Sequence, residues 1–243
     1  MSRRSIHEQY HYTTKKQSRI ISRNNFTYRL LIEVTTKYIR PNHEILDIGC
    51  GAGTLSFFIA SLGNKIFGID ISSKAIRECL NSKNTLGLKK VNFAQMDFPN
   101  ETPKNKFDAV LLTEVIEHLN DDKKAVASIS KLLKKAGIMI LSTPSRKAPL
   151  HRLGLTRKFD LKVGHLRRYN LDELKRLLTS TGFEIIKVEK AEGIIRNFLF
   201  INPYAGKLIR YINFFGSDFV TFLDNISLRL FGESNFIIVA RKK

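Results

Sequence analysis

Five short apolar runs alternate with helical patterns between Glu44 and Thr143, and that alternation leaves few architectures open. EILDIG (44–49), KIFGID (65–70), VNFAQMD (91–97), FDAVLLT (107–113) and AGIMILST (136–143) read as strands. Helical spacing fills the gaps at 54–61, 73–85 and 121–134. Strands separated by helix-length segments pair side by side in a parallel sheet with helices on both faces. A helix at 171–182, capped by Asn170 and stopped at Gly182, precedes a sixth strand, FEIIKVEKA, and SNFIIVARK is a seventh. The fold class is therefore α/β.

The segments outside this alternation carry the charge. The formal net charge is +19, yet 44–120 is close to neutral and the excess lies in the flanks. Residues 1–24 are basic and polar without a clear period and read as a loose arm, followed by a helix at 26–39 that ends before Pro41. Residues 145–169 read as a long basic loop broken by Pro149, Gly154 and Gly164, in which His151 is an ordinary loop residue. Between the sixth and seventh strands, residues 194–232 form a phenylalanine-rich insert. There Phe215, Phe219, Phe222, Leu223, Ile226 and Leu230 follow the spacing of one amphipathic helix. Two cysteines, Cys50 and Cys79, cannot build a disulfide framework or a four-ligand zinc site. No apolar h-region opens the chain and no apolar run reaches membrane-spanning length, so the expected location is cytoplasmic.

Chemistry concentrates in Asp47-Ile48-Gly49-Cys50-Gly51-Ala52-Gly53-Thr54, between the first strand and the first helix. Glycines here let the backbone turn tightly and approach a ligand closely. A dinucleotide site would want G-x-G-x-x-G and no acid facing the pyrophosphate. Thr54 replaces the third glycine and Asp47 precedes the first, so a cofactor with a cationic amino-acid part fits better than NAD. Asp70 ends the second strand, where a carboxylate can accept from ribose hydroxyls, and Asp97 with Phe98 ends the third, suited to an adenine.

With ILDIGCGAG, FGID, QMDF, FDAVLLTEVIEHL and the late FIIVAR strand, the chain resembles the class I S-adenosylmethionine-dependent methyltransferases over about residues 40–243. The resemblance implies a doubly wound, Rossmann-like, seven-stranded sheet with an antiparallel last strand. A methyltransferase domain would occupy 44–243, after an N-terminal arm and helix at 1–43. The resemblance further implies S-adenosylmethionine held by Asp47, Gly49, Cys50, Gly51, Gly53, Asp70, Ile71, Asp97, Phe98 and Glu114.

Methyl transfer from a sulfonium is an in-line displacement that needs alignment and, for a hydroxyl acceptor, removal of a proton. Glu114, Glu117 and His118 lie at i, i+3 and i+4 after the fourth strand and would share one helical face. The EVIEHL run resembles the ubiquinone-type O-methyltransferases. It also resembles the small-RNA 2′-O-methyltransferases, which place two Glu and two His on a divalent ion, though the flanking residues here depart from their pattern. His165 in GHLRRY is the later histidine. The expected catalytic residues are therefore His118, His165 and Glu117, with Glu114, Glu117, His118 and His165 as candidate ligands of a divalent metal such as Mg.

The expected reaction is O-methylation of a small-molecule, sugar or lipid-linked acceptor. The alternatives are an RNA 2′-O-methyltransferase and a catalytically silent basic binding protein. The insert either covers the core, forms a dimer surface, or attaches peripherally to an anionic membrane. Nucleic acid competes for the same charge, with Tyr10, Tyr12 and Tyr169 available for stacking. Oligomeric state is left open.

Overall fold

Apolar runs in the middle of a sheet covered on both sides must be buried on both faces, and those of this chain are. In β1 (Glu44–Ile48), Leu46 and Ile48 point into one apolar layer and Ile45 into the other, as the two-residue period of a strand requires. The structure, a computed structural model, describes residues 3–13, 15–202 and 204–243. Its further strands are β2 (Lys65–Asp70), β3 (Val91–Gln95), β4 (Phe107–Thr113), β5 (Leu133–Pro144), β6 (Phe183–Ala191) and β7 (Asn235–Lys242). Among the described residues they form one seven-stranded sheet in the order β3-β2-β1-β4-β5-β7-β6, with β7 antiparallel to both neighbours. The expected doubly wound sheet and its antiparallel last strand are both present.

On one face pack α2 (Arg29–Tyr38), α3 (Thr54–Ser61) and α4 (Ser73–Leu86), through Ile32, Phe57 and Ile76 among others. On the other lie α5 (Asp122–Leu132) and α8 (Leu171–Ser180), through Val126, Ile129, Leu174 and Leu178. The strand order reverses between β1 and β4, so the connections leaving them diverge and open a crevice beyond their carboxyl ends.

Three segments differ from expectation. The N-terminal arm is not loose: α1 (Arg3–Tyr10) and a 3-10 turn at His11–Thr13 lie across the crevice. The Glu8 carboxylate accepts from Ser72 Oγ at 2.9 Å and Ser73 N at 2.7 Å, capping the start of α4 from another element. Arg3 pairs with Asp97 and donates to the Phe98 carbonyl. Farther on, Gln17 donates to the Ala52 carbonyl and Thr54 Oγ1. No residue of α1 is fully buried, so the helix lacks the apolar stripe that periodicity detects.

Residues 145–169 hold two short helices, α6 (Pro149–Arg152) and α7 (Arg157–Val163), rather than an open loop. Asp160 organises them, accepting from Thr156 Oγ1, His165 Nδ1 and Arg168 Nη2 at 2.8, 2.9 and 2.6 Å. Burial raises the Asp160 carboxyl, but these donors and the Arg168 charge outweigh it and hold the group well below the usual carboxylate range. His151 joins this network through Thr156 Oγ1. Tyr169 is buried with its hydroxyl on Asp122, so its ring is not available for stacking on a base.

The insert folds as α9 (Ile194–Ile201), α10 (Gly206–Tyr211), a π-helical turn at Ile212–Gly216 and α11 (Ser217–Phe231). A core-covering helix would turn its apolar stripe inward, and α11 does the reverse. Ser217, Thr221, Asp224 and Ser227 are buried, whereas Phe219, Phe222, Ile226 and Leu230 are exposed and Leu223 is half-buried. The Phe215 side chain lies outside the described residues. The cause is Asp224, whose carboxylate accepts from Gly193 N and Arg196 N at the start of α9 and draws the polar stripe inward.

Candidate active site

The glycine loop is shaped by the strands beside it. Gly49 N and Cys50 N both donate to the Ile69 carbonyl, and Gly51 N donates to Asp70 Oδ2 at 2.9 Å. Gly49 has φ 70°, and a Cβ there would run into the Val115 side chain, so the loop tolerates no substituent at this point. Asp47 is buried at the end of β1 and accepts from Ser56 Oγ at 2.5 Å. Burial pushes its carboxyl up to about 7, against the pull of the Ser56 hydrogen bond. A buried acid with a single short donor suits a cationic ligand group arriving beside it.

These residues line a cavity of about 590 Å³, which includes Asp47, Gly49, Cys50, Gly51, Asp70, Ile71, Phe98 and Glu114. Asp97 lines an adjoining cleft of about 720 Å³. Arg3 and Ile71 border both spaces. Gly53, at φ 73°, faces Phe57 and Cys79 and starts α3 rather than lining the cavity.

Glu114, Glu117 and His118 do not share a helical face. Glu114 has φ 54° and leaves the strand in a left-handed turn, and only Ile116–His118 forms a 3-10 turn. The Glu114 carboxylate is taken up by Ser142 Oγ at 2.7 Å and Asn235 Nδ2 at 2.9 Å. It stays on the cavity wall but falls outside the potential metal-binding group, which among the described residues is Glu117, His118 and His165. One ligand atom from each of these three lies within 4.8 Å of the others.

Each member of this trio is oriented by a second partner. His118 Nδ1 is 3.0 Å from the Gly164 carbonyl, so it must carry the hydrogen and leave Nε2 with its lone pair. His165 Nδ1 donates to Asp160 at 2.9 Å, which directs its Nε2 toward Glu117 Oε1, 3.8 Å away. Glu117 Oε2 accepts from Thr143 Oγ1 at 3.0 Å, while Oε1 is buried with no hydrogen-bond partner among the described residues. Burial, then the charge of Glu114, raises the Glu117 carboxyl well above its usual range. Burial, with His165 and His7 close by, pushes His118 down to about 3, leaving it neutral at pH 7.

An orphaned buried carboxylate oxygen and two imidazole nitrogens, each backed by a hydrogen bond, fit a divalent cation. Two imidazoles with one carboxylate suit Mn, Fe, Co or Zn better than Mg, which favours oxygen donors.

Several lining residues carry no motif. Arg3, His7, Tyr10 and His11 come from α1 and the turn after it, and the His7 ring meets His118 edge-on at 4.9 Å. Their spacing of three to four residues was the available signal, hidden because the helix is polar. Glu192, pushed up to about 8 by burial and by Glu114, lines the cavity with Asn197 and Phe200 of the insert. No motif announces these residues.

A family model described as a methyltransferase domain matches residues 21–188. A ubiquinone biosynthesis O-methyltransferase from Pelagibacter ubique (strain HTCC1062) is 39% identical over 107 residues, covering 42% of each chain. A protein of the same description from Rickettsia bellii (strain OSU 85-389) is 27% identical over 159 residues, 63% of this chain and 65% of that one. The chain spans about half the length of the curated relatives it matches. Among solved structures, Haemonchus contortus phosphoethanolamine N-methyltransferase 2 superposes with a TM-score of 0.67 at 18% identity, over 100% of this chain and 60% of that one. The [4+2]-cyclase SpnF superposes with a TM-score of 0.62 at 20% identity, over 88% and 80%. An N-methyltransferase and a cyclase on one fold show that the fold alone does not choose the reaction.

Proposed function

The chain belongs to the class I S-adenosylmethionine-dependent methyltransferases, and from that premise we propose that it transfers the cofactor's methyl group to a hydroxyl of a small-molecule acceptor. The observation that carries this reading is the geometry at His118, an imidazole on the cavity wall whose Nδ1 is held by the Gly164 carbonyl, leaving the Nε2 lone pair to take a proton. An amine acceptor would not need such a base in the same way, because it can present its lone pair once deprotonated.

In this reading the methionine part of the cofactor lies along the glycine loop with its ammonium toward Asp47. The ribose hydroxyls donate to Asp70, and the adenine reaches Phe98 and Asp97. The acceptor occupies the rest of the cavity, where Phe159 and Phe200 supply flat apolar walls. These walls favour an aromatic or lipid-linked acceptor over a sugar. His118 Nε2 takes the hydroxyl proton as the oxygen attacks the methyl carbon. The C–O bond forms, the C–S bond breaks, and its electron pair stays on sulfur in neutral S-adenosylhomocysteine. A divalent ion held by Glu117, His118 and His165 would acidify the acceptor hydroxyl in place of the base, because it would occupy the same His118 Nε2 lone pair.

The test is a radiolabelled methyl-transfer assay on phenolic, lipid-linked and RNA acceptors, with His118→Ala and Glu117→Gln alongside. His118→Ala should lower kcat/KM on the active acceptor at least about 100-fold while leaving the calorimetric affinity for S-adenosylhomocysteine within about twofold. Equilibrium dialysis with Mn should find an ion on the parent chain that Glu117→Gln loses. Labelling confined to RNA would overturn the small-molecule assignment, and Mn retained by Glu117→Gln would overturn the ligand set.

A further inference from the structure

An amphipathic helix on a water-soluble surface hides its apolar stripe, because apolar area left facing water forfeits the gain of burial. α11 hides its polar one. Phe219, Phe222 and Leu230 are 65%, 61% and 71% exposed, whereas Asp224 one turn away is 2% exposed. The orientation is enforced from inside. Arg196, 1% exposed, lies against Asp224 at 3.5 Å, donates to Thr221 Oγ1 at 3.2 Å and to the Phe26 carbonyl, and stacks over the Phe26 ring at 4.0 Å. Rolling α11 over to bury its phenylalanines would strand this guanidinium and carboxylate without partners. The outward aromatic face is therefore a built feature of the insert. Phe198 on α9 and Tyr211 on α10 are exposed as well.

We propose that this face of the insert docks on the surface of an anionic phospholipid bilayer. Charge selects that occupant over a second copy of the chain. Two copies would each bring a net charge of +19 to the contact, whereas an anionic surface attracts it. The segment that holds the start of α11 is itself cationic. Ser217 Oγ, at the start of α11, donates to the Asn24 carbonyl at 2.6 Å, and Arg29 pairs with Asp218. These contacts tie the insert to the segment bearing exposed Lys15, Lys16, Arg19 and Arg23. Among the described residues no helix is long and apolar enough to cross a membrane, so α11 would lie in the interface with its aromatic rings below the headgroups. Exposed Tyr204 and Tyr211 suit the headgroup level. The same insert supplies Asn197 and Phe200 to the catalytic cavity, which places the cavity wall close to the docked surface.

Vesicle flotation with the full chain tests the proposal, using phosphatidylcholine vesicles with and without phosphatidylglycerol. The parent chain should float with the anionic vesicles, remain below with phosphatidylcholine alone, and detach as salt rises. Phe219→Ser/Phe222→Ser should weaken partitioning at least about tenfold. Both side chains are exposed, so its circular dichroism and melting temperature should match the parent. Three results would overturn the proposal: no flotation of the parent, equal flotation of the double variant, or equal binding to uncharged vesicles. A dimer by light scattering that the double variant dissolves, without flotation, would assign the face to a second copy instead.

Discussion

Asp47 shows how much chemistry one buried side chain can hold in reserve. Its carboxyl is pushed up to about 7 by burial, from an ordinary value near 4. An acid raised in the folded state keeps its proton where the unfolded chain has lost it. This group's contribution to stability is therefore fully present below about pH 4 and is lost as pH rises to about 7. A cation bound against Asp47 selects the ionised form and reverses that loss. The affinity for S-adenosylhomocysteine should fall about tenfold per pH unit below about 7 and level off above it. Calorimetry in buffers of different ionisation heat should detect a proton released on binding in the acid range. Asp47→Asn should remove the pH dependence, and a flat profile in the parent chain would mean that the ammonium lies elsewhere.

At the same scale, Glu114 illustrates where spacing misleads. Its place in the E-x-x-E-H run suggested a fourth metal ligand, but spacing aligns side chains only on a regular helix. The left-handed turn at Glu114 and the acceptor sites it offers Ser142 and Asn235 take it out of the cluster. The residues at strand ends were legible, because a strand end in this topology has only one crevice to face.

Among the elements, α1 has the least local reason to exist and a clear tertiary one. Glu8 clamps it to the start of α4, and burial raises that carboxyl less than the hydrogen bonds from Ser72, Ser73 and Lys74 lower it. Glu8→Ala should release α1 at a cost of about 1 kcal/mol, as for loss of a helix cap. If α1 closes over the cofactor, that is roughly fivefold in affinity. Limited proteolysis should cut the variant within residues 3–13 faster than the parent, and saturating S-adenosylhomocysteine should slow the cut. Equal cleavage rates would show that Glu8 does not hold the helix. The strands β1 through β7 were legible as apolar or β-branched runs between turns and helices, although β6 buries only its two ends. The helix α1 was not legible, because its contacts reach partners more than 60 residues away.

Over the whole molecule, two polar centres stitch the additions onto the sheet. Asp160 gathers the segment that carries His165, and Arg196 joins the insert to the N-terminal segment through Phe26. Arg196→Ala leaves the Asp224 carboxylate buried without its cation and should cost about 3–5 kcal/mol. Arg196→Met with Asp224→Leu should recover much of that loss in urea unfolding. A single change costing less than about 1 kcal/mol would mean that the insert is held by its apolar contacts alone.

The sequence by itself determined the sheet, its helices, the glycine loop with its acids and hence the cofactor class. Each of these depends on contacts within a short stretch or on one repeated strand–helix unit, so a one-dimensional period carries the information. Only the tertiary structure decided that α1 roofs the cavity, that Glu114 leaves the cluster of Glu117, His118 and His165, and that α11 turns its phenylalanines outward. Periodicity says that a helix has two faces. Which face is buried depends on the partner waiting inside, and for α11 that partner is Arg196, 28 residues from the Asp224 it pairs with.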